Sequence, residues 1–302
     1  MEKTADSIIR ARPLLGTFVE ITARGAEGRQ LERAVDAAFA VIERIHRLMS
    51  YHEPDSDVSR LNRANRGAAV VIHEWTASVL KASIDLQHRS KGLFNIAVGA
   101  ALERLGLLPS SQCPSPHTGA VGHCAVELLP RNRARLLVPG NTIDLGGIAK
   151  GFAVDQAAAV LRVSGVVGGV VNAGGDLFVF GPDEHAVQIR DPRNPARLLV
   201  HTKLREAALA STALSFDPVT PDRPSYCSII DPWSAEPVAT MSGATVRAPS
   251  CMIADALTKV VMIGGKDASK VLEHYGASAF FMDKNGDVLA TADWEDVHTL
   301  AA

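Results

Sequence analysis

Residues Ile143 to Asp176, reading IDLGGIAKGFAVDQAAAVLRVSGVVGGVVNAGGD, constrain what this chain can fold into more than any other stretch. They set one amphipathic helix between two glycine turns, and they hold Lys150, Asp144, Asp155 and Asp176 close together in sequence. Gly146 and Gly147 have no Cβ, so the backbone there can turn tightly and come close to a ligand. The spacing predicts a helix from near Ile148, with Phe152, Ala153, Gln156, Ala157, Val160 and Leu161 on or near one face. Its first turn directs backbone N–H groups and the positive dipole end at whatever sits in the glycine turn, a generic cradle for an anion or phosphate. Gly165 ends the helix, Val166 to Val171 reads as a buried strand, and Asn172 to Asp176 reads as a second tight turn. Two such turns flanking one helix point to a phosphorylated ligand.

A chain of 302 residues can bury one large core or two smaller ones. Apolar content of 47%, charged content of 21% and a net charge of −2 describe an ordinary globular protein. Nucleic acid is not an expected partner, because no basic block would neutralise phosphates. Cys113, Cys124, Cys227 and Cys251 form no CxxC pair and read as reduced, mostly buried thiols. The segment MEKTADSIIRARPLLGTFVEI has no apolar h-region, and no window reaches membrane-spanning length. We therefore expect a cytoplasmic protein without membrane insertion.

Periodicity predicts a strand over Gly16 to Thr22 and an amphipathic helix over Gln30 to Met49, followed by a turn-rich loop at Ser50 to Ser56. A second helix is predicted over Ser78 to Arg89, a loop over Cys113 to Gly122, and a hairpin from Ala125–Leu129 to Ala134–Val138. Strands are predicted at Leu177–Phe180, Ala186–Arg190, Leu198–Leu204, Ala207–Ser211, Tyr226–Ile230 and Ala244–Arg247. Helices follow at Ala254–Ile263 and Ala268–Tyr275, and a last hairpin turns at Asn285-Gly286. Without strict βαβ alternation, an α+β architecture is expected rather than a doubly wound sheet.

The glycine turn matches neither a Walker A loop nor a GxGxxG fingerprint. Lys150 opposes the dipole of its helix unless an anion or a carboxylate neutralises it. Asp155, five residues on, has poor helical spacing, so Asp144 is the expected local partner. Asp255 shares a helical face with Thr258 and Lys259. Two readings stay open there: a hard-oxygen Mg²⁺ site with glycine-turn carbonyls, or a helix acid paired with Lys259, which spacing alone favours. The ten histidines are scattered singly, and no Ser/His/Asp set appears.

Seven blocks in order resemble the ApbE family of FAD:protein FMN transferases, from about Pro13 to beyond Gly264: LLGTFVEI, MSYHEPDSDVSRLN, FNIAVG, IDLGGIAKGFAVD, VNAGGDLFVFG, IIDP and ADALTK. The resemblance implies one α+β, T-fold-like domain over residues 1–302, its mixed sheets packed with helices, with room for two intertwined subdomains. It also implies FAD as substrate, Mg²⁺ as cofactor, and transfer of FMN to a threonine of an acceptor protein carrying a DxxSGAT-like motif, with release of AMP. Carried across, Leu15, Tyr51, Leu93, Phe94, Asn95, Asp144, Lys150 and Ile229 would contact FAD. Gly147, Asp255 and Thr258 would hold the metal, and Asp255 with Lys259 would carry the catalysis. The chain departs from the family pattern at several places. Lys259 stands where the family has threonine, Ser228 where it has histidine, Asn95 where it has aspartate, and Ser211-Thr-Ala-Leu where it has STSG. Thr258 could supply the missing hydroxyl from a direction about 100° away around the helix. Alternatively, the Lys259 ammonium could replace part of the metal's charge. An FAD pyrophosphatase and a catalytically silent flavin-binding relative remain as alternatives. Ser242-Gly-Ala-Thr245 matches the core of the acceptor motif, but Ala239 replaces its aspartate and a core strand is due there, so self-flavinylation is not expected.

Overall fold

The computed structural model describes residues 6–25, 27–109, 126–138, 140–214, 228–291, 294 and 298–299. The chain opens with strands β1 (Ser7–Leu14) and β2 (Thr17–Arg24), then helices α1 (Gly28–Met49) and α2 (Asp57–Arg63). Next come β3 (Val70–Val71), α3 (Glu74–Arg89), α4 (Gly99–Arg104), β4 (Val126–Leu129), β5 (Arg133–Leu136) and α5 (Ala149–Val163). The second half continues with β6 (Gly168–Ala173), β7 (Asp176–Phe180), β8 (His185–Asp191), β9 (Asn194–Leu204), β10 (Ala207–Ala213), β11 (Met241–Ala248) and α6 (Cys251–Gly264). A 3₁₀ turn (Gly265–Ala268), α7 (Ser269–His274), β12 (Ser278–Asp283), β13 (Val288–Ala290) and β14 (His298–Thr299) complete it.

An antiparallel sheet in the order β1-β2-β6-β7-β10-β11-β12-β13 divides the molecule. Its strands alternate, as a sheet covered on both faces requires. Val171, Phe180, Ala208, Ala210, Val246 and Phe281 face a helical layer built by α1, α5 and α6. Val170, Leu177, Val179, Leu209, Phe280 and Met282 face the other way, onto Val187, Ile189, Leu199 and Val200 of the β8–β9 ribbon. A small sheet of β3, β5 and β4 lies beside α2 and α3. This is the expected α+β class.

The helical layer follows from sequence period. In α1, Leu31, Val35, Ala38, Phe39, Ile42, Ile45 and Met49 are buried along one face. Each large side chain among them contributes roughly 1.5–3 kcal/mol by leaving water. Helix α5 buries Phe152, Ala153, Ala157 and Leu161 of the expected face, together with Gly151, Val154 and Ala158. Helix α6 starts at Cys251, three residues before its expected start at Ala254, because the Ser250 side chain caps it by accepting the Ile253 N–H.

Strand β1 was not expected, and its side chains explain why. Its half-buried positions are Ile8, Arg10, Arg12 and Leu14, so two of the four inward residues are arginines. Those arginines reach across α1 to Glu32 and Asp36, and the Arg12 guanidinium lies 4.4 Å from the Phe39 ring centre. Their aliphatic stems supply the apolar face while the charges stay wet. Of the expected strand at Tyr226–Ile230, residues 226–227 lie outside the described residues, and Ile230 forms only an isolated bridge with Pro237. The loop expected at Cys113 to Gly122 lies outside them as well, as do Cys113, Cys124 and Cys227; Cys251 is a buried free thiol. Among the described residues, no helix is long and apolar enough to cross a membrane.

Candidate active site

A cavity of about 550 Å³ opens where the end of α1, the Leu93–Ile96 turn, the Asp144–Lys150 turn and α6 meet. The size is that of a small-molecule site. Leu15, Tyr51, Leu93, Phe94, Asn95, Asp144, Lys150 and Ile229 all line it, and so do Gly147, Ser228 and Lys259. Asp255 and Thr258 do not: both side chains are fully buried behind that wall.

The cavity has two characters. Leu93, Phe94, Leu102, Leu107, Leu108 and Ile229 supply apolar wall. Leu15 reaches it from the two-residue turn joining β1 to β2, where it takes a left-handed backbone at φ 56° beside Gly16. The Tyr51 ring lines the cavity, and its hydroxyl donates to Glu103. Burial, then that bond, raises the Tyr51 phenol well above its ordinary value. The Asn95 carboxamide oxygen accepts the Ala97 N–H at 2.9 Å and so shapes its own turn.

The charged part of the lining belongs to a cluster that long-range contacts assemble. Lys150 does not pair with Asp144, as its position in sequence suggested. Its ammonium bonds the Asp176 carboxylate and lies 3.5 Å from Asp255 Oδ2. Asp144 turns back to accept the Gly146 N–H at 3.0 Å, and burial raises its carboxyl pKa. Burial alone would depress Lys150, but Asp255 and then Asp176 raise it above the usual lysine range. For Asp255, burial works against the charge, yet Lys150 and Lys259 outweigh it and hold the carboxyl below its ordinary value. Asp176 goes the other way, raised by burial and then by the neighbouring Asp255 charge.

Helices α5 and α6 cap each other at this point. Asp255 Oδ2, on α6, accepts the Gly151 N–H of α5 at 3.0 Å. Asp155, on α5, accepts the Cys251 and Met252 N–H groups that open α6, at 2.7 and 2.9 Å. The amide of Gly151 is thus used within the protein and is not offered to a ligand, contrary to the simple cradle expected from the glycine turn. Lys259 completes the cluster: its ammonium bonds Asp255 Oδ1 and lies 3.0 Å from the Asp255 carbonyl oxygen. The Thr258 hydroxyl donates to that same carbonyl at 2.7 Å. Asp155, Asp176 and Gly151 carry this geometry and had no assigned role in the sequence reading. Only the position of Asp176 in the second glycine turn hinted at one.

Asp155 gives a pH prediction. Burial pushes its carboxyl up to about 6, so between roughly pH 4 and 6 the folded state holds a proton that the unfolded state has lost. Its contribution to stability is full below that window and is lost as pH rises through it. Asp155→Asn should flatten this part of the stability–pH curve in urea titrations; an unchanged slope would contradict the assignment.

Known proteins with this sequence pattern and geometry agree with one another. A model of the ApbE family matches residues 15–281. A FAD:protein FMN transferase of Vibrio cholerae is 26% identical over 88% of this chain and 84% of its own length. Another of that name, from Treponema pallidum, is 24% identical over 94% of this chain and 86% of its own length. The crystal structure of the ApbE protein of Thermotoga maritima superposes with a TM-score of 0.83 at 26% identity, covering 96% of this chain and 98% of that one. The Vibrio cholerae flavin transferase ApbE shares the fold at a TM-score of 0.80 and 22% identity, covering 98% and 100% of the two chains. The chain belongs to the ApbE family.

Proposed function

We propose that this chain is a FAD:protein FMN transferase: it binds FAD in the 550 Å³ cavity and moves FMN to a threonine of an acceptor protein, releasing AMP. One observation carries the reading. Residues scattered from Leu15 to Lys259 converge on a single cavity whose lining combines apolar side chains with two lysines, Lys150 and Lys259. The faces of a planar isoalloxazine ring suit the apolar wall that includes Leu93, Phe94 and Ile229. The diphosphate suits the two lysines. The relatives that share most of the chain's length are named for this activity.

The chemistry is a displacement at phosphorus. The acceptor threonine oxygen bonds to the FMN phosphorus and the bond to the AMP oxygen breaks. AMP leaves with the electron pair, and the hydroxyl proton is released. Phosphoryl-type transfers depend mainly on positioning and on offsetting developing charge. Lys150 is held by Asp176 and Asp255, so its charge is already in place before the substrate arrives.

The magnesium ion that the resemblance implies does not fit these residues. Asp255 Oδ1 is taken by the Lys259 ammonium, and Oδ2 by the Gly151 amide with Lys150 at 3.5 Å. The Thr258 hydroxyl is turned into its own helix, and Lys259 fills the space next to Gly147. Among the described residues, no group of three or more His, Cys, Asp or Glu side chains could hold a metal ion. No step above runs through a metal.

The test is product analysis after incubation with FAD and an acceptor bearing Asp-x-x-Ser-Gly-Ala-Thr. Transfer should yield AMP and covalently bound flavin in equal amounts. AMP with free FMN and an unlabelled acceptor would contradict transfer and indicate a pyrophosphatase. FAD retained without AMP would leave a binding protein.

A further inference from the structure

We propose that the Lys259 ammonium is a built-in cation that stands in for a divalent metal, so that FAD binds and reacts here without one. The inference deepens the FAD reading above and rests on it. Lys259 follows Asp255 by one helical turn, and its ammonium is fixed by both the carboxylate and the main-chain carbonyl of that residue. An ammonium has three N–H donors and no acceptor. Two of them serve Asp255, which leaves one for the cavity that Lys259 lines.

The stem of Lys259 is seated as firmly as its head. It packs against Gly147, where an added Cβ would stand only 3.2 Å from Lys259 Cε. Glycine at 147 therefore leaves room for the lysine as well as for a turn. The formal charges of Asp176 and Asp255 are cancelled by those of Lys150 and Lys259. A divalent cation entering beside Asp255 would have to displace one ammonium and face the other. A phosphate oxygen meets two lysines whose positions are already fixed and whose partners, Asp176 and Asp255, are buried and do not line the cavity; Asp144, which does line it, is turned onto the Gly146 amide. A fixed ammonium offers a diphosphate one positive charge and an N–H donor, part of the electrostatic work that a bound metal ion would do.

The experiment is FAD titration by flavin fluorescence, run in EDTA and again in excess Mg²⁺, on the wild type and on Lys259→Thr and Lys259→Arg. Wild type and Lys259→Arg should bind FAD equally in both buffers. Lys259→Thr should bind about tenfold more weakly in EDTA and regain affinity in Mg²⁺, because a hydroxyl and a freed Asp255 oxygen then face the metal. AMP release should follow the same pattern. Wild-type FAD binding or AMP release that needs Mg²⁺ would overturn the proposal, while FAD binding in neither buffer would overturn the FAD reading itself. Should Lys259→Thr fail to fold, the wild-type comparison in EDTA and Mg²⁺ decides alone.

Discussion

Asp255→Ala is expected to destabilise the fold by about 3–5 kcal/mol and to abolish turnover, the cost typical of removing one partner from a buried ion pair. Asp255 is fully buried and, among the described residues, is the one carboxylate that ion-pairs with both Lys150 and Lys259. Its removal leaves two lysines to share Asp176 and strips the Gly151 amide of its acceptor. An unpaired buried amide alone costs about 1–3 kcal/mol. Asp255→Asn should lose less stability, since its side-chain oxygen can still accept from Gly151, while still releasing the lysines. Urea unfolding midpoints measure the first effect and AMP release the second. Wild-type stability in Asp255→Ala would show that the cluster does not join the helices.

Gly151→Ala sets two effects of opposite sign against each other. Alanine in a helix is favoured over glycine by about 1 kcal/mol, so propensity alone predicts a more stable protein. Packing predicts the reverse. A Cβ at Gly151 would lie 2.2 Å from the Cys251 carbonyl oxygen and 2.8 Å from Met252 Cα, both backbone atoms that no rotamer change can move. Overpacking a core costs typically 1–3 kcal/mol, and here α5 and α6 must also separate where they cap each other. The Asp155 bonds to Cys251 and Met252 and the Asp255 bond to Gly151 would all lengthen. A net loss of about 2 kcal/mol or more is expected, with weaker FAD binding. A gain in stability would mean that the helices cross less tightly than described.

What could be read from the chain depended on the range of the interaction. Helix α5, the strand after it and the second glycine turn were legible because period and turn chemistry act within a few residues. The antiparallel, two-faced sheet left its alternation in β7, β10 and β12. Strand β1 was hidden because arginine stems do the work of apolar side chains there. The partners of Lys150 were hidden for a different reason. Local spacing favoured Asp144, whereas Asp176 arrives through a hairpin and Asp255 from a helix late in the chain. Asp155 looked like a poor partner for Lys150, and it is one; its carboxylate caps another helix. In sequence Thr258 could supply the missing metal hydroxyl; in the fold that hydroxyl turns to the Asp255 carbonyl of its own helix. The identity of Lys259 was plain in sequence. What it does there depends on Asp255 and Gly147 at once, which only the fold brings together.

Transfer of FMN to an acceptor threonine is read out by intact-mass spectrometry of an acceptor carrying Asp-x-x-Ser-Gly-Ala-Thr after incubation with this protein and FAD. The expected result is a mass increase of one FMN less one water, mapped to the motif threonine and absent when that threonine is replaced by valine. An acceptor of unchanged mass, in a mixture where FAD has been consumed, would contradict it.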